Sequence, residues 1–406
     1  MSVNLSVFDA FHQIEGLKIG YCNAGIKQTQ RQDLVVFELA STATTAGIFT
    51  QNAFCAAPVQ ICKAHLAKSQ TQYLIVNTGN ANAGTGKEGF QDAMEICQTL
   101  ADKKGIDVSG VLPFSTGVIG ERLPLDKITS AIPRALENLT EENWFEGSRG
   151  IMTTDTQPKG TSTQFEYKGE TITISGISKG AGMIKPNMAT MLGFIATDAA
   201  VSNSLLQSIC SELGEKSFNR ITIDGDTSTN DSCMLMATGT NELPELVDIN
   251  DEFYLILKNE LEKVFVYLAQ AIVRDGEGAT KFVSIDVKNC ENSNEALRVA
   301  YTVAHSPLVK TALFASDANW GRILAAVGRS GVKNIVLEDI QIFLDDVCIV
   351  ENGARAASYT EKAGADVMAK QELSIIIDMG RGSACETVWT TDLSHEYVTI
   401  NAEYRT

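Results

Sequence analysis

The sequence is short of positive charge. Its 33 Lys and Arg residues stand against 50 Asp and Glu, a formal net charge of −17. Neutralising phosphates takes clustered cations, so this deficit argues against nucleic acid as a partner. The acid excess favours solubility and says little about fold. Histidine is also scarce. His12, His65, His305 and His395 lie far apart, with no His-Glu-x-x-His and no paired spacing, so no metal site is expected. No Gly-x-Ser-x-Gly elbow supports a Ser-His-Asp triad. The nine cysteines are odd in number and none forms Cys-x-x-Cys. Several sit in apolar runs, as Cys97 does after Ala93, Met94 and Ile96. They read as reduced, mostly buried thiols of a cytoplasmic protein. No apolar segment approaches ~18 residues, so no membrane span is expected. The N-terminus lacks the basic and long apolar stretches of a secretory signal.

What is present is ordinary globular material. Hydrophobic residues make up 44% and charged residues 20% of 406, enough for a large core in two to three domains or one large α/β unit. Short branched apolar runs at 34–39 and 73–77 read as buried strands. Apolar residues at 90, 93, 94, 96, 97 and 100 keep a 3.6-residue period and predict a helix. Further helices are expected at 125–139, where Pro133 kinks or restarts the helix, at 203–213, and at 251–273 with Asp251 or Asn250 as cap. Residues 171–175 alternate like a half-exposed strand. Later strands are expected at 282–287, 340–350, 373–377 and 397–401. The mix suggests layered α/β with mixed sheets.

The richest stretch is Lys179 to Asp198. A glycine-rich, proline-stiffened loop runs into Ala189 and Thr190, and the apolar run Met191–Ala196 follows as a buried strand. Thr190 would be held at the root of a core strand yet remain within reach of substrate. If the chain is cut before Thr190, one residue carries both a hydroxyl and a free α-amine, a nucleophile with its own base. An α-amine has a reference pKa near ~8, so a useful neutral fraction exists at pH 7. A competing signal is Gly84-Thr85-Gly86-Lys87-Glu88-Gly89, which matches G-x-G-x-x-G before a helix. A dinucleotide turn should follow its strand at once, but residues 77–83 intervene. A phosphate loop of the Walker type fails at Ala81 and Glu88. The run reads better as a tight loop leading into the Phe90 helix.

The whole 179–198 string resembles the signature of the ornithine acetyltransferase family, the glutamate N-acetyltransferases of arginine synthesis. Further resemblances occur in family order: Asn52–Val59, Ser115–Gly120, Met152–Asp155, Arg274–Thr280, Asp317–Arg322 and Ile400–Thr406. They span essentially the full chain. The resemblance implies a four-layer αββα sandwich of mixed sheets with a second, smaller α/β lobe. It implies self-cleavage at Ala189–Thr190 into chains 1–189 and 190–406 that stay intertwined, assembled as a heterotetramer of two of each. Thr190 would be the nucleophile, and Thr116 (hydroxyl) and Gly117 (backbone N–H) the oxyanion hole that acyl transfer needs. Thr153, Lys179, Thr190, Glu277, Asn401 and Thr406 would bind substrate. Lys179 suits a carboxylate, and Glu277 an ammonium or a relayed proton. The run Thr227–Thr229 reads as a structural loop shaping the site.

The expected reaction moves acetyl from N-acetylornithine to Thr190 and then to glutamate. No cofactor is implied, because the acetyl group stays on the protein; some family members also use acetyl-CoA as a substrate. Three competitors remain. A self-processing aminopeptidase or amidase would release acetate without glutamate. A nucleotide-dependent oxidoreductase would use the Gly84 loop. A non-catalytic binding protein would stay a single chain.

Overall fold

A computed structural model describes residues 2–27, 31–185 and 191–403. Ala189, Thr190 and Thr406 therefore lie outside the described residues. The chain divides into two compact units. The larger holds residues 6–219 and 226–272; the smaller holds 1–5, 220–225 and 273–406.

The larger unit begins with β1 (Leu17–Cys22), β2 (Leu34–Leu39), β3 (Thr44–Phe49), α1 (Ala57–Lys68), β4 (Tyr73–Asn80) and α2 (Gly86–Lys104). It continues with β5 (Val111–Val118), α3 (Leu125–Glu137), α4 (Trp144–Gly150), β6 (Lys159–Tyr167) and β7 (Glu170–Lys179). It ends with β8 (Leu192–Thr197), α5 (Asn203–Lys216), β9 (Ser232–Ala237) and α6 (Glu252–Arg274). One sheet has the order β1-β2-β4-β5 and a second the order β3-β9-β8-β7-β6. Both are mixed: β4–β5 and β8–β9 are parallel, and the other pairs antiparallel.

The two sheets face each other across one core. Val35, Phe37, Leu74, Val76, Leu112 and Phe114 of the first meet Ile177, Leu192, Phe194, Met234 and Met236 of the second. Phe194 stacks on Phe37 and meets Phe114 edge-on. The other face of the first sheet is covered by Ile96, Leu100, Ile128 and Ile132 of α2 and α3. The second sheet is covered by α5 and α6; a Cβ on Gly176 would lie 2.9 Å from Leu268 of α6. Helix, sheet, sheet, helix is the four-layer αββα order. Because helices close both outer faces, inner strands are apolar on both sides. That corrects the half-exposed reading of 171–175: within β7, residues 172–179 are all buried.

The smaller unit contains β10 (Phe282–Cys290), α7 (Ser293–Ala304), α8 (Pro307–Phe314), α9 (Trp320–Gly328), β11 (Gln341–Leu344), β12 (Val347–Glu351) and β13 (Ala354–Arg355). It is completed by α10 (Glu361–Met368), β14 (Glu372–Asp378), β15 (Ala384–Thr391) and α11 (His395–Ala402). Its sheet has the order β13-β12-β11-β14-β10-β15. It is an α/β unit with its own core, in which Val299 and Val303 of α7 join Ile285, Ile375 and Val388 of the sheet.

Two expected strands differ. Residues 340–350 form a hairpin, β11–β12, broken by a turn at Asp345–Asp346 where Asp345 has φ +50. Residues 397–401 are helical, not extended. The β-branched content of Tyr-Val-Thr-Ile favours a strand, but Ser394 caps a helix by accepting the Tyr397 N–H. Tertiary context decides between these weak local preferences.

Candidate active site

The first group of site residues lies where β4 and β5 end side by side in the larger unit. Thr116 pairs with Thr78 and Gly117 with Gly79. Gly117 has φ +135, and a Cβ there would sit 2.3 Å from the Gly79 carbonyl carbon and 2.5 Å from the Asn80 nitrogen. Only glycine fits so close an approach of backbone to backbone. Thr116 and Gly117 both lie in the last stretch of β5. Thr116 is buried, and its Oγ1 accepts a 2.9 Å hydrogen bond from Lys179 Nζ. Lys179 is the last residue of β7 and is itself buried. The structure therefore joins two residues that are 63 positions apart in sequence. The Thr116 hydroxyl accepts from a cation and keeps its own proton to donate, a polarised donor of the kind an oxyanion needs.

Asp155 organises the surroundings. It is buried and paired with the equally buried Lys159 at 2.6 Å. It also accepts the Thr153 N–H at 2.8 Å and the Gly180 N–H at 2.7 Å. Burial pushes its carboxyl up, but the Lys159 and Lys179 charges and these hydrogen bonds outweigh burial and hold it well below the usual carboxylate range. Thr153, half-buried, is fixed at both ends, since its carbonyl accepts from Arg31 at 3.1 Å. The loop after Thr227 is stitched to the same corner. Asn230 Nδ2 donates to the carbonyls of Ala81 and Ser115, at 2.5 and 2.9 Å. Ser228, Thr229 and Asn230 are buried, in keeping with a structural loop.

The nucleophile segment is bounded by the sheet. Lys179 and Leu192 are partners in the antiparallel β7–β8 pair. Ala189 and Thr190 precede Leu192 in sequence and fall outside the described residues.

The second group lies in the smaller unit. Glu277 is buried and its Oε2 accepts from Asn401 Nδ2 at 2.8 Å. Asn401 also donates to the Tyr397 carbonyl one turn back on α11, at 2.9 Å. The loop carrying Glu277 is pinned by Asp392, which accepts from Thr280 N and Lys281 N at 2.8 and 3.0 Å, and by Ser394, which donates to the Gly278 carbonyl at 2.7 Å. Below it, buried Lys310 donates to Thr390 Oγ1 at 3.1 Å and to the Thr391 carbonyl. Burial lowers the Lys310 ammonium to about 8 against the pull of Asp392 and Asp224.

Asp155 lies inside the Met152–Asp155 motif, but nothing in the spacing marks it as half of a buried ion pair with Lys159. The Gly84 loop is explained by packing. Thr85 Oγ1 donates to Asn82 Oδ1 at 2.8 Å, and a Cβ on Gly89 would fall 1.8 Å from that hydroxyl. The third glycine thus makes room for the loop's own side chain. Among the described residues, no group of three or more His, Cys, Asp and Glu side chains is arranged to hold a metal ion, and no helix is long and apolar enough to cross a membrane.

Residues 18–406 match the ArgJ family. The chain is 57% identical over 406 residues to the arginine biosynthesis bifunctional protein ArgJ of Pseudomonas fluorescens, covering 100% of both. It is 52% identical over 402 residues to the protein of the same name from Psychrobacter arcticus, covering 99% of each. A crystal structure of the arginine biosynthesis bifunctional protein ArgJ from Bacillus halodurans is similar at 36% identity and a TM-score of 0.50; the match covers 52% of this chain and 99% of that one.

Proposed function

This chain belongs to the ArgJ family, and from that premise we propose that it is a self-processing acetyltransferase of arginine biosynthesis. It moves the acetyl group of N-acetylornithine to glutamate through an acetyl ester on Thr190. Thr190 Oγ attacks the acetyl carbonyl, the tetrahedral oxyanion takes hydrogen bonds from the Thr116 hydroxyl and the Gly117 N–H, and ornithine leaves with the proton. Glutamate then attacks the ester, giving N-acetylglutamate and restoring the hydroxyl. The observation that carries this reading is the Lys179–Thr116 hydrogen bond beside the strained Gly117 backbone. It supplies a buried, charged corner with a polarised hydroxyl, next to a backbone that only glycine fits.

Substrate recognition is assigned to Thr153, Lys179, Thr190, Glu277, Asn401 and Thr406, with Lys179 for the α-carboxylate and Glu277 for an ammonium. The relatives' designation as bifunctional supports a second activity, synthesis of N-acetylglutamate from acetyl-CoA. Acetyl-CoA is then a substrate, and no resident cofactor is required. Cleavage gives fragments of 189 and 217 residues. Both would contribute to one sheet, because β8 and β9 pair with β7 and β3 across the cut. The Bacillus halodurans chain, spanned almost whole by 52% of this one, has the length of such a fragment. Two copies of each fragment and a cytoplasmic location complete the reading; nine free thiols support a reducing compartment.

The test is a denaturing gel with N-terminal sequencing, followed by acetyl-transfer assays. Two fragments, the second beginning at Thr190, and acetylornithine consumption that needs glutamate are expected. An active preparation that stays a single denatured chain, or acetate release without glutamate, overturns the proposal.

A further inference from the structure

Two cations reach the larger unit's candidate site without an ion-pair partner among the described residues, and both come from the segment joining β1 to β2. The start of that segment is fixed. Asp33, 1% exposed, accepts the Ala24 and Ile26 N–H groups at 2.5 and 2.7 Å, and Lys127 Nζ donates to the Gly25 carbonyl at 2.7 Å. Lys27 follows at once. Its aliphatic stem lies on Gly79 of β4, where a Cβ would fall 2.9 Å from Lys27 Cγ and 3.4 Å from its Cδ. Gly79 is also the residue whose carbonyl carbon leaves no room for a Cβ on Gly117. One glycine thus touches both the lysine stem and the backbone assigned to the oxyanion.

Arg31 reaches the same corner at Thr153. Its guanidinium donates to the Met152 carbonyl and, at 3.1 Å, to the Thr153 carbonyl. Both acceptors are neutral, so its charge is not cancelled there. Lys27 is exposed, and its ammonium makes no hydrogen bond or ion pair among the described residues. Burial of the stem, then the Arg31 charge, lowers that ammonium from its ordinary value against the pull of exposed Glu121. A bound anion would reverse the trend. The two amino acids of the reaction differ by one such anion. N-acetylornithine has a single carboxylate and a side-chain ammonium. Glutamate has a second carboxylate in place of that ammonium. Lys179 answers the α-carboxylate of either. A partner suited to the ornithine ammonium repels the glutamate side chain, so the acceptor needs a cation of its own.

We propose that Lys27 is a specificity-determining residue, whose ammonium binds the side-chain carboxylate of the acceptor glutamate beside the uncancelled charge of Arg31. The proposal rests on the acetyl-transfer reading. No covalent step is involved: the carboxylate replaces water on the ammonium. Because Asp33 and Gly79 already hold the loop and the stem, little ordering is left to binding.

The experiment measures kcat/KM for acetylornithine and for glutamate in matured wild type, Lys27→Met, Lys27→Gln and Lys27→Arg. With an acetyl-enzyme between them, each ratio reports its own half-reaction. Glutamine is the alternative acceptor, since it keeps the shape of glutamate and loses the charge. The expected effect lies between an exposed ion pair and a buried charged hydrogen bond: Lys27→Met should lower kcat/KM for glutamate about five- to tenfold, chiefly through KM. The acetylornithine value should stay within about twofold, and Lys27→Arg should keep most of the glutamate value. The preference for glutamate over glutamine should fall with the glutamate value. A merely structural role would lower both half-reactions together and leave that preference alone. Glutamate kcat/KM within about twofold of wild type, equal losses for both substrates, or an unchanged glutamate preference would each overturn the proposal. Melting temperatures accompany the kinetics. If Lys27→Met folds poorly, the neutral polar Lys27→Gln decides on the same criteria, and failure of both to fold makes Lys27 a structural residue and overturns the proposal. Wild type that moves no acetyl group to glutamate would instead bring down the acetyl-transfer reading beneath it.

Discussion

Replacing Asp155 by asparagine tests the frame that holds the candidate site. Asp155 and Lys159 side chains are both 0% exposed and 2.6 Å apart. Asp155 also anchors the Thr153 and Gly180 N–H groups. Breaking a buried pair on one side typically costs about 3–5 kcal/mol, because the remaining charge is stranded. Asparagine keeps one acceptor oxygen for a backbone N–H, which puts the expected loss near the lower end, about 3 kcal/mol. The Lys159 ammonium, deprived of its carboxylate, accounts for the larger part of that cost, so removing it should help. Lys159→Met combined with Asp155→Asn should be less damaging than the sum of the two single changes, by at least about 1 kcal/mol. Urea denaturation of the four proteins at pH 7 measures the cycle. The pH dependence has a definite sign. The folded carboxyl is held below its unfolded value of roughly 3.9, so its contribution is fully present above that value and drains away as pH falls through and below it. Wild type should therefore lose stability between pH 5 and pH 3 more steeply than the Asp155→Asn protein. A loss under about 1 kcal/mol at pH 7, or strictly additive single changes, would refute the claim that this pair is buried and coupled.

The αββα order could not be read from periodicity; it came to the sequence only through resemblance. Apolar runs did locate β2 and β4, which are buried on both faces, and periodicity located the body of α2, which packs one apolar face against a core. It misread the exposure of β7, since alternation within Thr-Ile-Thr-Ile-Ser does not reveal that the Thr173 and Ser175 face is covered too, with Ser175 Oγ donating to the His12 carbonyl. It misread α11, where a serine cap outweighed strand-forming side chains. Among site residues, Gly117 was named through the resemblance, but the reason for a glycine is non-local: Gly79 of β4 lies opposite it, 38 residues upstream. The Lys179–Thr116 bond and the Asp155–Lys159 pair depend on which strand ends meet. Single-chain patterns carry no such information. What the sequence does carry strongly is the ordered set of motifs, and among the described residues Ser115–Gly120 falls at a strand end and Met152–Asp155 in a loop, where chemistry is placed.

Several further outcomes follow from the geometry. Thr190→Ala should abolish both cleavage and transfer while Thr190→Ser keeps some of each, since serine retains the hydroxyl but not the methyl that fixes its rotamer; transfer by purified Thr190→Ala would remove Thr190 from the mechanism. Thr116→Val should lower kcat by roughly 10²–10³ with KM little changed, and a KM effect alone would make Thr116 a binding contact. Gly117→Ala should cost stability as well as turnover. A Cβ 2.3 Å from the Gly79 carbonyl carbon must force β4 and β5 apart, and overpacking with positive-φ strain is worth about 2–4 kcal/mol; an unchanged melting temperature would show that the strands yield freely. Deleting Tyr404–Thr406 separates binding from folding at the C-terminus. The contacts of α11 from Asn401 to Glu277 and to the Tyr397 carbonyl lie upstream of the deletion, so the helix keeps its anchor and the melting temperature should stay within a degree or two of wild type. Cleavage at Ala189–Thr190 should proceed as before. If Thr406 contributes to the pocket, KM for acetylornithine and for glutamate should both rise while kcat falls less. Asn401→Ala serves as the control, because it releases Glu277 and should raise KM even with the tail intact. Unchanged KM values in the truncated enzyme, beside a raised KM in Asn401→Ala, would confine substrate binding to the helix and leave the last three residues without a part in it.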